Sequence, residues 1–440
     1  MTAPAAAPRN RWIVLVAAIL LQVGLGTMYA WSFFQSVLIK DYGWSHSQAS
    51  LAFSSLICLF GLSCAVAGFN VRRVGPRRLA IIGGSLYSIS FLVGALALHR
   101  ANIPLFIAGF AVLGGVGAGL AYVTPVSTVA RWFPDKKGLP PALVVMGFGL
   151  GAFMLGKFVA PPLMVVTGGR LDEVFLWVGL MLSALLLPAA LLLHESPPGY
   201  RVGPAPVAQE PAPTVAPAVP RVLEQPKAYL LSTQYVAIWL LFFFSATAGI
   251  AVISFQSGLI QEIWIRVSPT LSPAVLASYG ATMIAVSSLF NAGGRLAWVV
   301  LSRWTGHIGA CRLMVATQMI AFGLMLSVET PWLFGALVCY VLSCYGGILG
   351  VLPAMLSGLY GQDRLPVVYG TILTALAAAG IAGPLLVAAL QDANPDRALL
   401  YAFMGCAVGL GVAFALSYLL LDRRYRPGKP MLDDLGLLVV

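Results

Sequence analysis

Charge is scarce in this chain, and acidic residues are its scarcest part. Of 440 residues, Asp and Glu supply 15 and Lys and Arg supply 26, so 9% of the chain is charged and 59% is hydrophobic. Water-soluble globular domains carry about a quarter charged residues. The composition, with a mean hydropathy of +0.89, therefore excludes a water-soluble globular protein.

Motifs for catalysis, metal binding and nucleotide binding are also missing. The sequence has no phosphate-binding Gly-x-x-x-x-Gly-Lys-Ser/Thr loop and no His-Glu-x-x-His pair. The six cysteines lie in or beside apolar runs without metal-ligand spacing and are predicted to be packed free thiols. We therefore expect no enzymatic activity, cofactor, metal site or nucleic-acid partner.

Long apolar runs dominate what is present. In the first half they cover about 12–38, 47–69, 79–98, 103–129, 139–166 and 174–193, and in the second half about 234–259, 273–301, 308–328, 331–358, 366–390 and 397–421. Each run is long enough to cross the ~30 Å of a bilayer core, where backbone polar groups must bond within the segment. The pattern predicts an all-α integral membrane protein with twelve transmembrane helices.

A proline- and alanine-rich interval separates the two sets of helices. It holds nine prolines between Glu195 and Lys227 and is unable to bury a core. The predicted organisation is an N-terminal six-helix bundle (1–194), a cytoplasmic linker (195–233), a C-terminal six-helix bundle (234–421) and a cytoplasmic tail (422–440). Two bundles around a central site are typical of secondary transporters.

The distribution of Lys and Arg predicts the orientation. With the N-terminus placed in the cytoplasm, nineteen of these residues fall on the cytoplasmic side and five on the other. This bias is typical of cytoplasmic loops and predicts that both termini are cytoplasmic. Lys157 and Arg295 remain inside predicted spans.

A basic loop motif carries a family resemblance. The segment after the fourth span consists of Arg131, Trp132, Phe133, Pro134, Asp135, Lys136, Lys137 and Gly138. It resembles the signature of the oxalate/formate antiporter family of the major facilitator superfamily. Further matches are Arg11-Trp12, Tyr29 to Ser32, Gly147 to Gly151, Asn291 to Arg295, Tyr345 to Gly347, Pro353 and Tyr369-Gly370. The resemblance implies the major facilitator fold and a carrier of small carboxylates in the bacterial inner (plasma) membrane.

The sequence departs from the family pattern at two places. The loop between the second and third helices usually carries an acidic residue where this chain has Arg72, and Arg303 stands at the corresponding place in the second half. The usual charge pair of this loop is therefore expected to be absent or rebuilt. Family members that exchange oxalate have a lysine in the eleventh helix, where this chain has Leu376. That difference disfavours a dicarboxylate.

Arg295 is the main candidate for substrate binding. It lies about 10 Å inside the eighth span, at ~1.5 Å per residue. A cation at this depth normally faces a cavity or a partner, and a guanidinium can hold a carboxylate through two hydrogen bonds. Asn291, one turn earlier, is predicted to share this site. The alternatives are an arginine that snorkels to the interface or pins helix packing through backbone carbonyls.

The other candidates are polar and aromatic residues in the spans. The resemblance implies that Tyr29, Tyr122, Phe148 and Tyr345 line the cavity. Gln22, Thr371 and Thr374 are predicted to complete the substrate-binding set. Lys157, near the outer end of the fifth span, is interpreted either as a snorkelling lysine or as an anion attractor at the outer mouth.

The acidic residues all fall in loops, tails or span ends, so no proton relay is visible. We therefore predict a facilitative or exchange transporter of a small monocarboxylate such as lactate, pyruvate or formate. The alternatives are a proton-coupled monocarboxylate symporter, an oxalate/formate-type exchanger and a transport-inactive carboxylate sensor. The expected partners are the carboxylate and membrane lipid, and the working expectation for the oligomeric state is a monomer.

Overall fold

The computed structural model describes residues 10–136, 138–197, 200, 226–393, 397–420, 431–432 and 438–439. Most of the predicted linker and most of the predicted tail lie outside the described residues, as do the counted cations Arg9 and Lys137. Within the described part, eleven helices are long and apolar enough to cross a membrane. One of these, Pro273–Met325, is broken at Gly306 and supplies two spans, which gives the predicted twelve.

The spans form two bundles. The N-terminal bundle consists of α1 (Arg11–Tyr42), α2 (His46–Val74), α3 (Pro76–His99), α4 (Ile103–Trp132), α5 (Leu139–Val166) and α6 (Leu171–Leu192). The C-terminal bundle consists of α7 (Thr233–Val267), α8 and α9 on either side of Gly306, α10 (Pro331–Tyr360), α11 (Leu365–Ile372 and Thr374–Ala393) and α12 (Ala398–Leu420). A single-turn helix, Pro226–Leu230, precedes α7. In the tail, β1 (Met431–Leu432) pairs antiparallel with β2 (Leu438–Val439).

Serine side chains define several helix starts. Ser45, Ser232 and Ser272 each accept a hydrogen bond from a backbone N–H in the first turn of α2, α7 and α8, respectively. These bonds satisfy donors that a helix start otherwise leaves free. Other spans are locally irregular, with a 3₁₀ turn at Thr27–Ala30 in α1 and a π-helical turn at Met154–Val159 in α5.

Two glycines show that the halves repeat. Gly75 follows Arg72 by three residues and has a φ of 87°, and Gly306 follows Arg303 by three residues and has a φ of 72°. Positive φ is costly for residues with a Cβ atom, so glycine is favoured where each helix ends. Both basic loops therefore turn in the same way.

The two bundles pack against each other through α2 with α11 and through α5 with α8. The helix ends near Arg11, Arg72, Arg131 and Arg303 form one face of the protein, which we call the basic face; the other end is the opposite face. The cysteines of the described residues are unpaired, as predicted from their spacing. The centre of the bundle interface contains the candidate site.

Candidate substrate-binding site

Arg295 lies at the interface of the two bundles, on α8. Its side chain has 0% exposure. Among the buried residues that the structure describes, it is the only one with a formal charge, since no Asp, Glu or Lys is buried. Burying a charge without a counter-ion costs several kcal/mol, so such a group is normally paired or functional.

The guanidinium is held by three contacts and has one free end. Its Nη1 donates to the backbone carbonyl of Val145 on α5 at 2.7 Å, and its Nε donates to Oδ1 of Asn291 at 3.3 Å. Its Cζ lies 5.2 Å from the centre of the Phe148 ring, close enough for a cation–π contact. Nη2 is buried and has no hydrogen-bond partner. The arginine is therefore fixed in place with one charged donor unused.

An aromatic cage formed by Tyr29, Tyr122, Phe148 and Tyr345 lies beside the guanidinium. Phe148 makes edge-to-face contacts with Tyr29 at 4.9 Å and with Tyr122 at 5.2 Å between ring centres. Tyr345 lies 6.2 Å from Tyr29. The structure thus brings the four aromatic residues predicted from the resemblance together around Arg295.

Two tyrosine pairs join the bundles across this cage. The hydroxyls of Tyr29 on α1 and Tyr345 on α10 are hydrogen-bonded to each other. The hydroxyl of Tyr369 on α11 donates to that of Tyr122 on α4 at 3.3 Å. Tyr369 is absent from the residues predicted for the site, although it belongs to the Tyr369-Gly370 match that carried part of the resemblance. Each pair takes one member from each bundle and links the two bundles directly.

Close helix packing makes the arginine contact possible. A Cβ atom on Gly149 of α5 would lie 2.7 Å from the Cα of Ala292 on α8. Atoms this close must shift, so the absent side chain lets the two helices approach. As a result, the Val145 carbonyl comes within reach of Arg295.

Gln22 of α1 is a second fully buried polar residue beside the cage. Its Nε2 donates to the backbone carbonyl of Tyr122 at 3.0 Å. Its Oε1 is buried and has no hydrogen-bond partner. An unused acceptor therefore lies on a side chain bonded to Tyr122 of the cage, in addition to the unused donor of Arg295.

Three of the predicted residues have no described contact with Arg295. The Thr371 hydroxyl donates to the carbonyl of Val367 on its own helix at 2.8 Å, and the Thr374 hydroxyl accepts a bond from Nε1 of Trp239 at 2.9 Å. Lys157 is exposed and lies in the π-helical turn of α5. None of the contacts described for these side chains involves Arg295, and their functional roles stay predictions.

The family motif lies on the basic face, away from the cage. Arg11 forms an ion pair with Asp135 at 2.7 Å, and the rings of Trp12 and Phe133 meet edge to face at 5.2 Å. Nε1 of Trp132 donates to the backbone carbonyl of His194 at 2.7 Å. The motif thus ties the ends of α1, α4 and α6 together and supports the fold of the bundle.

The charge pair of the second-to-third helix loop is rebuilt with opposite polarity. Arg72 donates to both the backbone oxygen of Asp363, at 2.7 Å, and its carboxylate, at 3.0 Å. Asp363 lies between α10 and α11, so this pair crosses from one bundle to the other on the basic face. It strengthens the contact between α2 and α11 where the bundles meet.

On the opposite face, the bundles are separated by a polar cleft. Ser32, Gln35 and His46 line it from the N-terminal bundle, and Glu262 lines it from the C-terminal bundle. Ser32 lies three residues beyond Tyr29 on α1, so this part of the cleft lining is about one helical turn from the cage. Among the described residues, no group of His, Cys, Asp and Glu side chains has the arrangement of a metal site.

Two six-helix bundles that meet around a buried arginine have the architecture of a membrane transporter of the rocking-bundle class. The chain belongs to the Major Facilitator Superfamily, whose family model matches residues 16–384. It is accordingly a transporter and not an enzyme. The major facilitator fold and the superfamily predicted from the sequence are confirmed.

Curated relatives fit the resemblance stated from the sequence. The chain is 24% identical to the oxalate:formate antiporter of Oxalobacter formigenes over 96% of this chain and 94% of that protein. It is 27% identical to the apicoplast pyruvate carrier 1 of Toxoplasma gondii over 71% of this chain and 64% of that protein. The solved structure of the human organic anion transporter MFSD10 is similar with a TM-score of 0.65 at 17% identity, covering 94% of this chain and 100% of that chain. The last likeness concerns the fold alone.

Proposed function

We propose that this protein carries a small monocarboxylate anion across the bacterial inner membrane, with Arg295 as its anchor. The observation that carries the proposal is the unpartnered Nη2 of a fully buried guanidinium. A carboxylate that binds there satisfies this donor and neutralises the charge. The same anchor serves both orientations of the transporter, because the site lies between the bundles that rock around it.

The energetics favour movement of the loaded carrier. An unpaired arginine in the middle of a closed interface is costly, whereas an arginine paired with a carboxylate is close to neutral. Bidentate pairing also gives the site a preference for planar carboxylates. A bound anion therefore lowers the energy of the closed state through which the bundles must pass.

A single carboxylate suits the site better than two. Leu376, at the position where oxalate exchangers of the family have lysine, is 1% exposed and supplies no second cation. The relatives support small carboxylates in general: one is an oxalate:formate antiporter and another a pyruvate carrier. The apolar ring of Phe148 favours a small carbon tail, as in lactate or pyruvate.

Exchange or facilitated diffusion is the proposed mode of coupling. The described part of the chain buries no acidic side chain, and Glu262 lines the cleft only near the end of α7. The excess of Lys and Arg on the basic face supports a cytoplasmic location of that face and of both termini. Binding by a single subunit requires no partner, in keeping with a monomer.

Uptake into liposomes tests the anchor. We expect Arg295→Ala to abolish uptake of radiolabelled lactate and pyruvate by reconstituted protein. Arg303→Ala, which removes an exposed arginine from the same helix, is the matched control and should retain uptake. Unchanged transport by Arg295→Ala contradicts the site assignment.

A second measurement tests the coupling. Proteoliposomes preloaded with unlabelled lactate should take up labelled lactate faster than empty ones, because exchange returns the carrier in its loaded form. Strong accumulation driven by a pH gradient alone, without internal anion, would instead establish proton symport. Binding without any flux would establish the carboxylate sensor.

A further inference from the structure

Gln22 has an orientation that the structure determines without ambiguity. Its amide contacts the backbone carbonyl of Tyr122, which can only accept a hydrogen bond. The amide nitrogen must therefore face this carbonyl, and the amide oxygen must face away from it. With 0% exposure and no partner, Oε1 is a buried acceptor that lacks a donor.

The position of Gln22 connects this acceptor with the cage. Gln22 and Tyr29 are seven residues apart, so they share one face of α1. A Cβ atom built on Gly147 would lie 3.4 Å from the Cβ of Gln22, and the next residue of α5 is Phe148. Gln22 therefore packs against α5 one residue before Phe148, and Phe148 itself contacts Arg295 of α8.

An unsatisfied buried acceptor is as informative as an unsatisfied donor. Native proteins pair nearly all buried polar atoms, so an orphan beside the cage calls for a partner, which a polar group of the cargo can provide. Arg295 offers a charged N–H to a carboxylate, whereas Gln22 Oε1 requires an O–H or N–H on the ligand. A 2-hydroxy acid supplies both groups, but a 2-oxo acid directs its oxygen lone pairs at those of the amide.

We propose that Gln22 accepts a hydrogen bond from a hydroxyl group of the cargo and thereby makes the carrier selective for hydroxy monocarboxylates. Oxo acids and unsubstituted acids of the same size are the disfavoured cargoes. This inference rests on the proposed function, because it assumes that a carboxylate occupies Arg295. It assigns to Gln22 the discrimination between acids that Arg295 binds equally well.

Binding to the purified wild-type protein is the first test. Titration calorimetry with lactate, pyruvate and propionate compares three acids with a similar carbon skeleton and different groups at C2. We expect lactate to bind about tenfold more tightly than pyruvate, because a polar site left unpaired rejects the analogue that lacks the donor. Equal affinities, or a preference for pyruvate, overturn the inference.

Gln22→Met is the second test, since methionine keeps the length of the side chain and removes the acceptor. In this variant lactate and pyruvate should bind about equally tightly, and the affinity for pyruvate should stay within about twofold of the wild-type value. Gln318→Met is the matched control: Gln318 is also 0% exposed, but its Oε1 accepts from Ser245 at 3.0 Å and its Nε2 donates to the carbonyl of Val341 at 3.1 Å. The Gln318→Met variant should have a lower thermal midpoint than the wild type, because it loses both hydrogen bonds, but it should keep the lactate preference.

The outcomes separate the inference from the proposed function. Binding of all three acids without discrimination overturns the role of Gln22 and leaves the role of Arg295 intact. A lactate preference that survives in Gln22→Met also overturns it. Failure of every acid to bind the wild-type protein refutes the proposed function and the inference together. If Gln22→Met does not fold, the comparison of the three acids on the wild-type protein still tests the inference.

Discussion

Replacing Arg295 by methionine distinguishes an arginine that anchors substrate from one that pins helix packing. Methionine is unbranched and apolar, so it fills much of the same space without the charge. A substrate anchor is expected to destabilise the empty protein, because its charge is buried without a partner until the substrate binds. A packing pin is expected to stabilise the empty protein.

The contacts of Arg295 allow a rough estimate. Its hydrogen bonds to Val145 at 2.7 Å and to Asn291 at 3.3 Å contribute about 1.5–3 kcal/mol each, as bonds to a charged group do. Placing a guanidinium within a membrane span costs about 2.5–3.5 kcal/mol. The two bonds together exceed this cost by at most about 3.5 kcal/mol. The methionine side chain offsets that difference, because burying an apolar side chain contributes about 1.5–3 kcal/mol.

We therefore expect the thermal midpoint of Arg295→Met without ligand to equal or exceed that of the wild type. The affinity of the variant for carboxylates, in contrast, should fall. The loss of at least one charge-assisted bond from Nη2 corresponds to about 1.5–3 kcal/mol, or about a tenfold to hundredfold loss of carboxylate affinity.

Differential scanning fluorimetry in detergent, with and without lactate or pyruvate, measures both quantities. The wild type should gain stability from the acid, because a ligand of the folded state raises its apparent stability, and the variant should not. A midpoint that falls by many degrees while the ligand response persists would refute the reasoning. Arg295 would then be a packing pin.

Two further predictions concern the contacts between the bundles. Gly149→Ala should lower the thermal midpoint, by about 1–3 kcal/mol of stability, because its Cβ would lie 2.7 Å from the Cα of Ala292. Arg72→Glu should open the basic face, because it places a carboxylate against Asp363 in place of the 3.0 Å ion pair. The distribution of spin-label distances across that face should then extend to larger values. The change should be modest, because an exposed ion pair contributes about 1 kcal/mol or less.

Each of these predictions has a matched control. Gly293→Ala, on α8, should leave the thermal midpoint nearly unchanged, because a Cβ at this position would meet no atom within 4 Å. Equal midpoints for the two alanine variants would contradict the packing argument. For the ion pair, the double variant Arg72→Asp with Asp363→Arg restores opposite charges and should return the distances to those of the wild type. A double variant that stays open contradicts an ionic role.

The spans themselves follow closely from the apolar pattern. The predicted fifth span, 139–166, agrees with Leu139–Val166, because Gly138 and the turn after Val166 bound the apolar run. The predicted end of the seventh span at 259 falls short of Val267. Glu262 and Arg266 lower the hydropathy there, yet the helix continues because its backbone hydrogen bonds do not depend on the polarity of its side chains.

The connection between the eighth and ninth spans shows a similar limit. The sequence predicts two separate helices, 273–301 and 308–328, whereas the chain stays helical up to the break at Gly306 and resumes directly after it. A single residue of positive φ is enough to redirect a helix, and hydropathy does not report dihedral angles. The count of spans was therefore predictable, while their exact connection was not.

The amino-acid sequence alone determined the membrane class, the twelve spans, the basic face and the isolation of Arg295 among apolar residues, because each depends on composition or on local periodicity. The tertiary structure decided which atoms of the site remain unpaired. The Tyr29–Tyr345 and Tyr122–Tyr369 pairs join residues 316 and 247 positions apart. The free Nη2 of Arg295 and the free Oε1 of Gln22 follow from backbone carbonyls on neighbouring helices, and contacts between such distant segments leave no periodic pattern in the sequence.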